Sequence, residues 1–224
     1  MELILIRHGL PIRVEKKDGS AADPELSMEG MEQAKKMALW LKKEKLDVIY
    51  CSPMKRAKMT AEPLAVAKQM DIVFENGVAE IDQDASSYIP LEEIKEKHPE
   101  QWQEIVKKDI HSVFNEFQDV NVFSERVVKS LGKIIAENKG KRVAVVCHGG
   151  IINIWASHVL ENEEKLFFFQ PQYTSLNRFM ASSSGVNSIV SLNEVGHLRD
   201  DLISSFEFDI PFATPSFMGI TNDY

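Results

Sequence analysis

Cysteine is scarce in this sequence: 224 residues hold two, Cys51 and Cys147, each at the end of an apolar run. That count excludes a disulfide framework of the secreted kind and predicts a reducing, cytoplasmic setting. Positive charge is short as well, with 26 Lys and Arg against 34 Asp and Glu and a net charge of -8. Nucleic-acid binding needs a basic face that displaces counterions from phosphates, so no nucleic-acid partner is expected. Any phosphate site must be a local basic pocket. No apolar run approaches the ~20 residues that cross a bilayer, so no membrane partner is expected either. The opening MELILIRHG lacks the basic leader, long apolar region and small-residue cleavage site of a signal peptide, and reads as a first strand.

What is present fits an ordinary globular chain, 44% hydrophobic and 27% charged, of a length that suits one domain over residues 1–224. Apolar runs of strand length alternate with segments of helical period, the pattern of an α/β fold around a mostly parallel sheet. Strands are predicted at Leu3 to Ile6, Val48 to Cys51, Ile72 to Phe74, Arg142 to Cys147, Ser175 to Ala181 and Ser188 to Leu192. The run from Arg142 should be buried on both faces. A helix should start at Ser27 as its cap, burying Met28, Met31, Ala34, Ala38 and Leu41; another should open with Ser52-Pro53 as cap and first-turn proline. Gly149-Gly150 should form a tight turn into a helix from Ile151 to Leu160.

Two regions break this rhythm. Residues 82–120 read as an insertion carrying two short helices around His98-Pro99, either a lid over a site or a surface decoration. The aromatic tail, 204–224, carries Phe206, Phe208, Phe212 and Phe217. Exposing so many rings is costly, so they should cover the site, the body of the domain or a second copy of the chain in a homodimer.

The residues that follow the strands carry the chemistry. Arg7 and His8 end the first, Ser52 and Arg56 follow the second, Glu80 follows the third, and His148 ends the fourth. In open parallel sheets ligands bind outside the carboxyl ends of strands, so these residues should meet on one rim. Arginine offers a planar fork matched to phosphate oxygens, and a helix opening near Ser52 adds amides and dipole. A neutral imidazole can attack phosphorus, and either His8 or His148 suits that role. An isolated strand-end histidine is more often a structural group; here the surroundings argue otherwise.

Those residues sit in five motifs: LIRHG at 5–9, LSMEGMEQA at 26–34, CSPMKRAKMTA at 51–61, AEI at 79–81 and VCHGG at 146–150. In this order they resemble the histidine phosphatase, or phosphoglycerate mutase-like, superfamily over most of the chain. The resemblance implies a three-layer αβα fold with a mostly parallel central sheet. It implies that His8 is the phosphorylated nucleophile and that Arg7, Arg56 and His148 bind phosphate. Glu80 would be the acid protonating the leaving oxygen and then the base activating water. Gly9, Ser52 and Gly149 would line the substrate, and neither metal nor cofactor is implied.

The departures also carry information. Leu10-Pro11 and Val14 stand where many members have Glu and Asn, and Ile81-Asp82-Gln83-Asp84 replaces the Arg and Tyr signature of the mutases. Mutase activity is therefore not expected, and Asp82 and Asp84 share the loop with Glu80 as alternative acids. The expected function is metal-independent phosphatase action on a small phosphorylated metabolite. A phosphoprotein phosphatase would need a protein-sized groove. A non-catalytic phosphate-binding regulator would not need the complete set of Arg7, His8, Arg56 and His148.

Overall fold

The computed structural model of the chain describes residues 1–100, 102–103, 115, 117–162, 168–182 and 184–198. The aromatic tail, His111 and much of the segment after His98 lie outside the described residues.

Six strands form one sheet in the order β4-β3-β6-β1-β7-β8: β1 (Glu2–Arg7), β3 (Val48–Cys51), β4 (Ile72–Phe74), β6 (Arg142–Cys147), β7 (Leu176–Ala181) and β8 (Asn187–Glu194). β1, β3, β4 and β6 run parallel, while β7 is antiparallel to both β1 and β8. Alternation along β1 divides its side chains between two cores. Leu3 and Leu5 face α4 (Val120–Glu137) and α5 (Gly149–Val159), packing with Phe123, Val127, Leu131, Ile151 and Trp155. Ile4 and Ile6 face α1 (Met28–Leu41) and α2 (Lys55–Lys68), packing with Met37, Leu41, Ala57 and Leu64. This is the expected α/β architecture, helices on both faces of a mostly parallel sheet, and β6 is buried on both faces as its VAVV centre predicts.

A two-stranded ribbon joins β2 (Val14–Glu15) to β5 (Ser87–Tyr88), carrying the start of the insertion back to the loop after β1. One helix of the insertion is α3 (Leu91–Lys97), closed by His98. The second one expected falls largely on residues outside those described.

Three local expectations are corrected. Met28 and Met31 are 83% and 39% exposed, because the buried stripe of α1 runs through Gly30, Gln33, Ala34, Met37, Ala38 and Leu41 instead. α2 starts at Lys55 behind Met54 as the capping position, so Ser52 is not its cap. Gly149 and Gly150 are the first residues of α5 rather than a turn, and neither has the positive φ that a glycine turn exploits.

Candidate active site

The rim is built from the β1 end outward. His8 is 3% exposed, and its Nδ1 lies 2.8 Å from the carbonyl oxygen of Gly9. A carbonyl can only accept, so Nδ1 carries the proton and Nε2 the free lone pair. Burial, the charge of Arg56 and that of Arg7 hold the His8 pKa well below 6.5, and the Gly9 bond opposes this only in part. His8 is thus neutral and fixed in one tautomer.

The turn after His8 is sterically narrow. A Cβ on Gly9 would sit 2.5 Å from the Gly30 carbonyl oxygen, and one on Gly30 would sit 2.1 Å from that of Leu10. Both glycines let α1 approach the nucleophile's loop. Gly9 also donates its amide to Thr60 Oγ1, which donates in turn to the Arg56 carbonyl and so ties β1 to α2.

Two guanidiniums flank the histidine. Arg7 donates from Nη1 to the Pro171 carbonyl at 2.7 Å and lies 3.9 Å over the Tyr173 ring. Arg56, 1% exposed, donates from Nη2 to Asp82 Oδ1 at 2.7 Å and lies 4.7 Å from the Tyr88 ring centre. Its Nε and Nη1 are buried and have no hydrogen-bond partner among the described residues. Unsatisfied buried donors are rare in native proteins, and here they belong to a charged group and are available to an anion.

His148 ends β6 with its ring centre 5.1 Å from that of His8. Its Nε2 is 2.7 Å from Ser52 Oγ, which also accepts the Met54 amide at 3.3 Å. When the Ser52 hydroxyl donates to Nε2, the proton sits on Nδ1, a buried atom with no partner among the described residues and therefore a donor ready for a phosphate oxygen. Burial first, then Arg56 and His8, hold the His148 pKa well below 6.5.

Glu80 faces this group from the loop after β4. Its Oε2 accepts the Gly150 amide at 2.9 Å and its Oε1 the Ile81 amide at 3.0 Å. Burial and the neighbouring charge of Asp82 raise its pKa above 4.5, against the pull of both amides and Arg56. Asp82 is engaged with Arg56, which leaves Glu80 as the carboxyl better suited to hold a proton.

All the residues read from the strand ends therefore meet at one rim, though two do so differently from expectation. Ser52 is fully buried beneath His148. Gly149 is not pressed by its surroundings, since a Cβ there would lie at an ordinary contact distance, 3.7 Å, from Arg7 Nε. The space-critical glycine is Gly150, where a Cβ would fall 2.3 Å from Glu80 Oε1. Sequence reasoning missed Gly150, Tyr88, Tyr173 and Pro171. The signal for the last two was the direction of β7, whose antiparallel run brings its start to the same rim.

The chain is similar to several known proteins. Phosphoserine phosphatase 1 of Hydrogenobacter thermophilus is 35% identical over 150 residues, covering 66% of this chain and 71% of that protein. A histidine-to-alanine variant of phosphoserine phosphatase from Entamoeba histolytica, solved with phosphoserine, superposes with TM-score 0.66 at 22% identity, covering 88% of this chain and 98% of that one. Phosphoglycerate mutase from Bacillus anthracis shares the fold with TM-score 0.67 at 18% identity, covering 88% and 95%. The family model of the histidine phosphatase superfamily, branch 1, matches residues 3–195, and the chain belongs to that family.

Proposed function

We propose that this protein is a metal-independent phosphatase that hydrolyses a small phosphorylated metabolite through a phosphohistidine on His8. The observation that carries the reading is a neutral, tautomerically fixed His8 beside the buried guanidiniums of Arg7 and Arg56. The His8 Nε2 lone pair attacks phosphorus, forming the P–N bond as the P–O bond to the leaving group breaks. Glu80 gives its proton to the departing oxygen. Water then attacks phosphorus, Glu80 takes the proton back, and the P–N electron pair returns to Nε2. Arg7, Arg56 and the Nδ1 proton of His148 carry the charge on the phosphoryl oxygens, the part a metal plays elsewhere.

A small leaving group fits best. The Tyr88 and Tyr173 rings lie against the two guanidiniums and give the phosphate pocket aromatic neighbours. The phosphoserine phosphatases that the chain resembles point to such a leaving group. Both thiols are free and buried, with Cys51 pushed up to about 12 by burial, so a reducing cytoplasmic setting belongs to this reading.

The test is rapid quenching of the enzyme with a radiolabelled alkyl phosphate in the presence of a chelator. An acid-labile, base-stable label on His8 is expected, absent in His8→Ala with its fold retained. A label on serine or aspartate, or turnover that requires added magnesium or zinc, would refute it.

A further inference from the structure

Arg126 was not among the residues that the sequence singled out, because it lies within α4 and does not follow a strand. Four observations connect it to the acid. First, α4 is anchored in the core by Phe123, Val127, Leu131 and Ile134, and Arg126 lies 5.0 Å over the Phe123 ring. Second, a single nitrogen, Nη1, donates to three carbonyls, those of Asn76 at 3.2 Å, Gly77 at 3.3 Å and Ala79 at 3.0 Å. These belong to the short 3-10 turn Asn76–Val78 and to the residue directly before Glu80.

Third, the turn is pressed onto the same helix one turn further along. A Cβ on Gly77 would lie 2.5 Å from the Ser130 side chain, and Glu75 pairs with Lys133 at 3.6 Å. Fourth, the guanidinium's strongest charge interaction is with Glu80, followed by Asp84, while burial lowers its own pKa. Nε and Nη2 meanwhile are buried without partners among the described residues. The Glu80 loop thus rests on α4, and Arg126 is the one contact of this set that also reaches the carboxyl electrostatically.

We propose that Arg126 is the positioning residue of the leaving-group step. Its guanidinium fixes the backbone from which Glu80 projects, while the Gly150 and Ile81 amides fix the carboxylate itself. Its charge is close enough to interact with Glu80, beside that of Arg56, which opposes the push of Asp82 on the Glu80 pKa. The inference rests on Glu80 being the acid, and it makes Arg126 necessary for transfer to His8 from poor leaving groups and dispensable for transfer from good ones.

The experiment compares Arg126→Met and Arg126→Lys on O-phosphoserine, whose alkoxide needs a proton, and p-nitrophenyl phosphate, whose phenolate does not. In Arg126→Met, kcat/KM for phosphoserine, which reports transfer to His8 and not the later attack of water, should fall about 10- to 100-fold while that for the aryl ester and the vanadate affinity stay within about threefold. Arg126→Lys keeps the charge and the stem, so it should show the same split with a smaller loss; it is the variant to read if the Met form does not fold. In a Glu80→Gln background, Arg126→Met should cost nothing further, because the acid it positions is gone. Equal losses on both substrates, no loss on either, or an undiminished loss in the Glu80→Gln background would overturn the proposal. A Glu80→Gln form that keeps the alkyl preference of the wild type would instead refute the acid assignment beneath it.

Discussion

Replacing Arg56 by Met separates what its guanidinium does for the fold from what it does for phosphate. The residue is 1% exposed, and among the described residues only one of its nitrogens is satisfied, by Asp82, whose side chain is 17% exposed. Removing the guanidinium breaks an ion pair, which at a buried site costs about 3 to 5 kcal/mol. It also removes two orphaned donors, each of which burdens the ligand-free protein by about 1 to 3 kcal/mol. The two effects nearly cancel, so the ligand-free variant should melt close to wild type. Oxyanion binding has no such compensation. Even at the low end of about 1.5 kcal/mol for each of two charge-assisted hydrogen bonds, their loss totals about 3 kcal/mol, which is more than about 100-fold in Kd. Calorimetric titration of orthovanadate gives that ratio, and thermal melts with and without vanadate give the stability side. A vanadate affinity within about threefold of wild type, or a ligand-free loss above about 3 kcal/mol, would refute the reasoning.

Two further outcomes follow from the same geometry. Since the Glu80 pKa is raised above 4.5, the ratio of alkyl to aryl phosphate kcat/KM should fall as pH rises through that raised value, with the contribution of His8, common to both substrates, cancelling in the ratio. A ratio flat from about pH 4.5 to 8 would assign the proton to another group. Gly150→Ala should displace the Glu80 carboxyl, since the new Cβ would lie 2.3 Å from Oε1, and so depress alkyl turnover about 10-fold or more while sparing vanadate binding. An unaffected alkyl rate would show that the carboxyl is not held where the acid step needs it.

How much of this was legible depends on what each residue's position rests on. Arg7, His8, Ser52, Glu80 and His148 could be read because the alternation of strand and helix fixes which residues follow parallel strands, and that convergence is a property of topology rather than of side-chain detail. Tyr173 and Pro171 could not, because β7 runs antiparallel and only its pairing with β1 reveals this. Ser52 looked like a cap since serine before proline usually is one; the helix instead opens three residues later and frees the hydroxyl for His148. Met28 and Met31 fit a helical stripe by spacing, yet Gly30 and Gln33 occupy the face turned to the nucleophile loop. That face is set by the close approach of Gly30 to Leu10, which no periodicity encodes. Arg126 was invisible for a related reason: its role depends on a turn that docks against α4 from 47 residues upstream, measured to Ala79.

The site also shows why burial and chemistry are coupled here. In water a histidine of pKa 6.5 is mostly neutral only above that pH, and a glutamic acid of pKa 4.5 is mostly protonated only below that one. No pH then gives a good population of neutral nucleophile together with protonated acid. Desolvation moves the two groups in opposite directions, because it disfavours the charged form of each: the imidazolium and the carboxylate. Neighbouring charges add to both shifts, with Arg56 and Arg7 acting on His8 and Asp82 on Glu80. The two windows therefore move toward each other, and the nucleophile and the acid can hold their working protonation states together. The same burial leaves Arg56 with donors unpaired among the described residues, so the pocket that sets the proton chemistry is also the one that attracts the phosphate dianion. A chain with an overall charge of -8 can bind that anion because a few buried cations at short range outweigh a larger number of solvent-screened surface carboxylates.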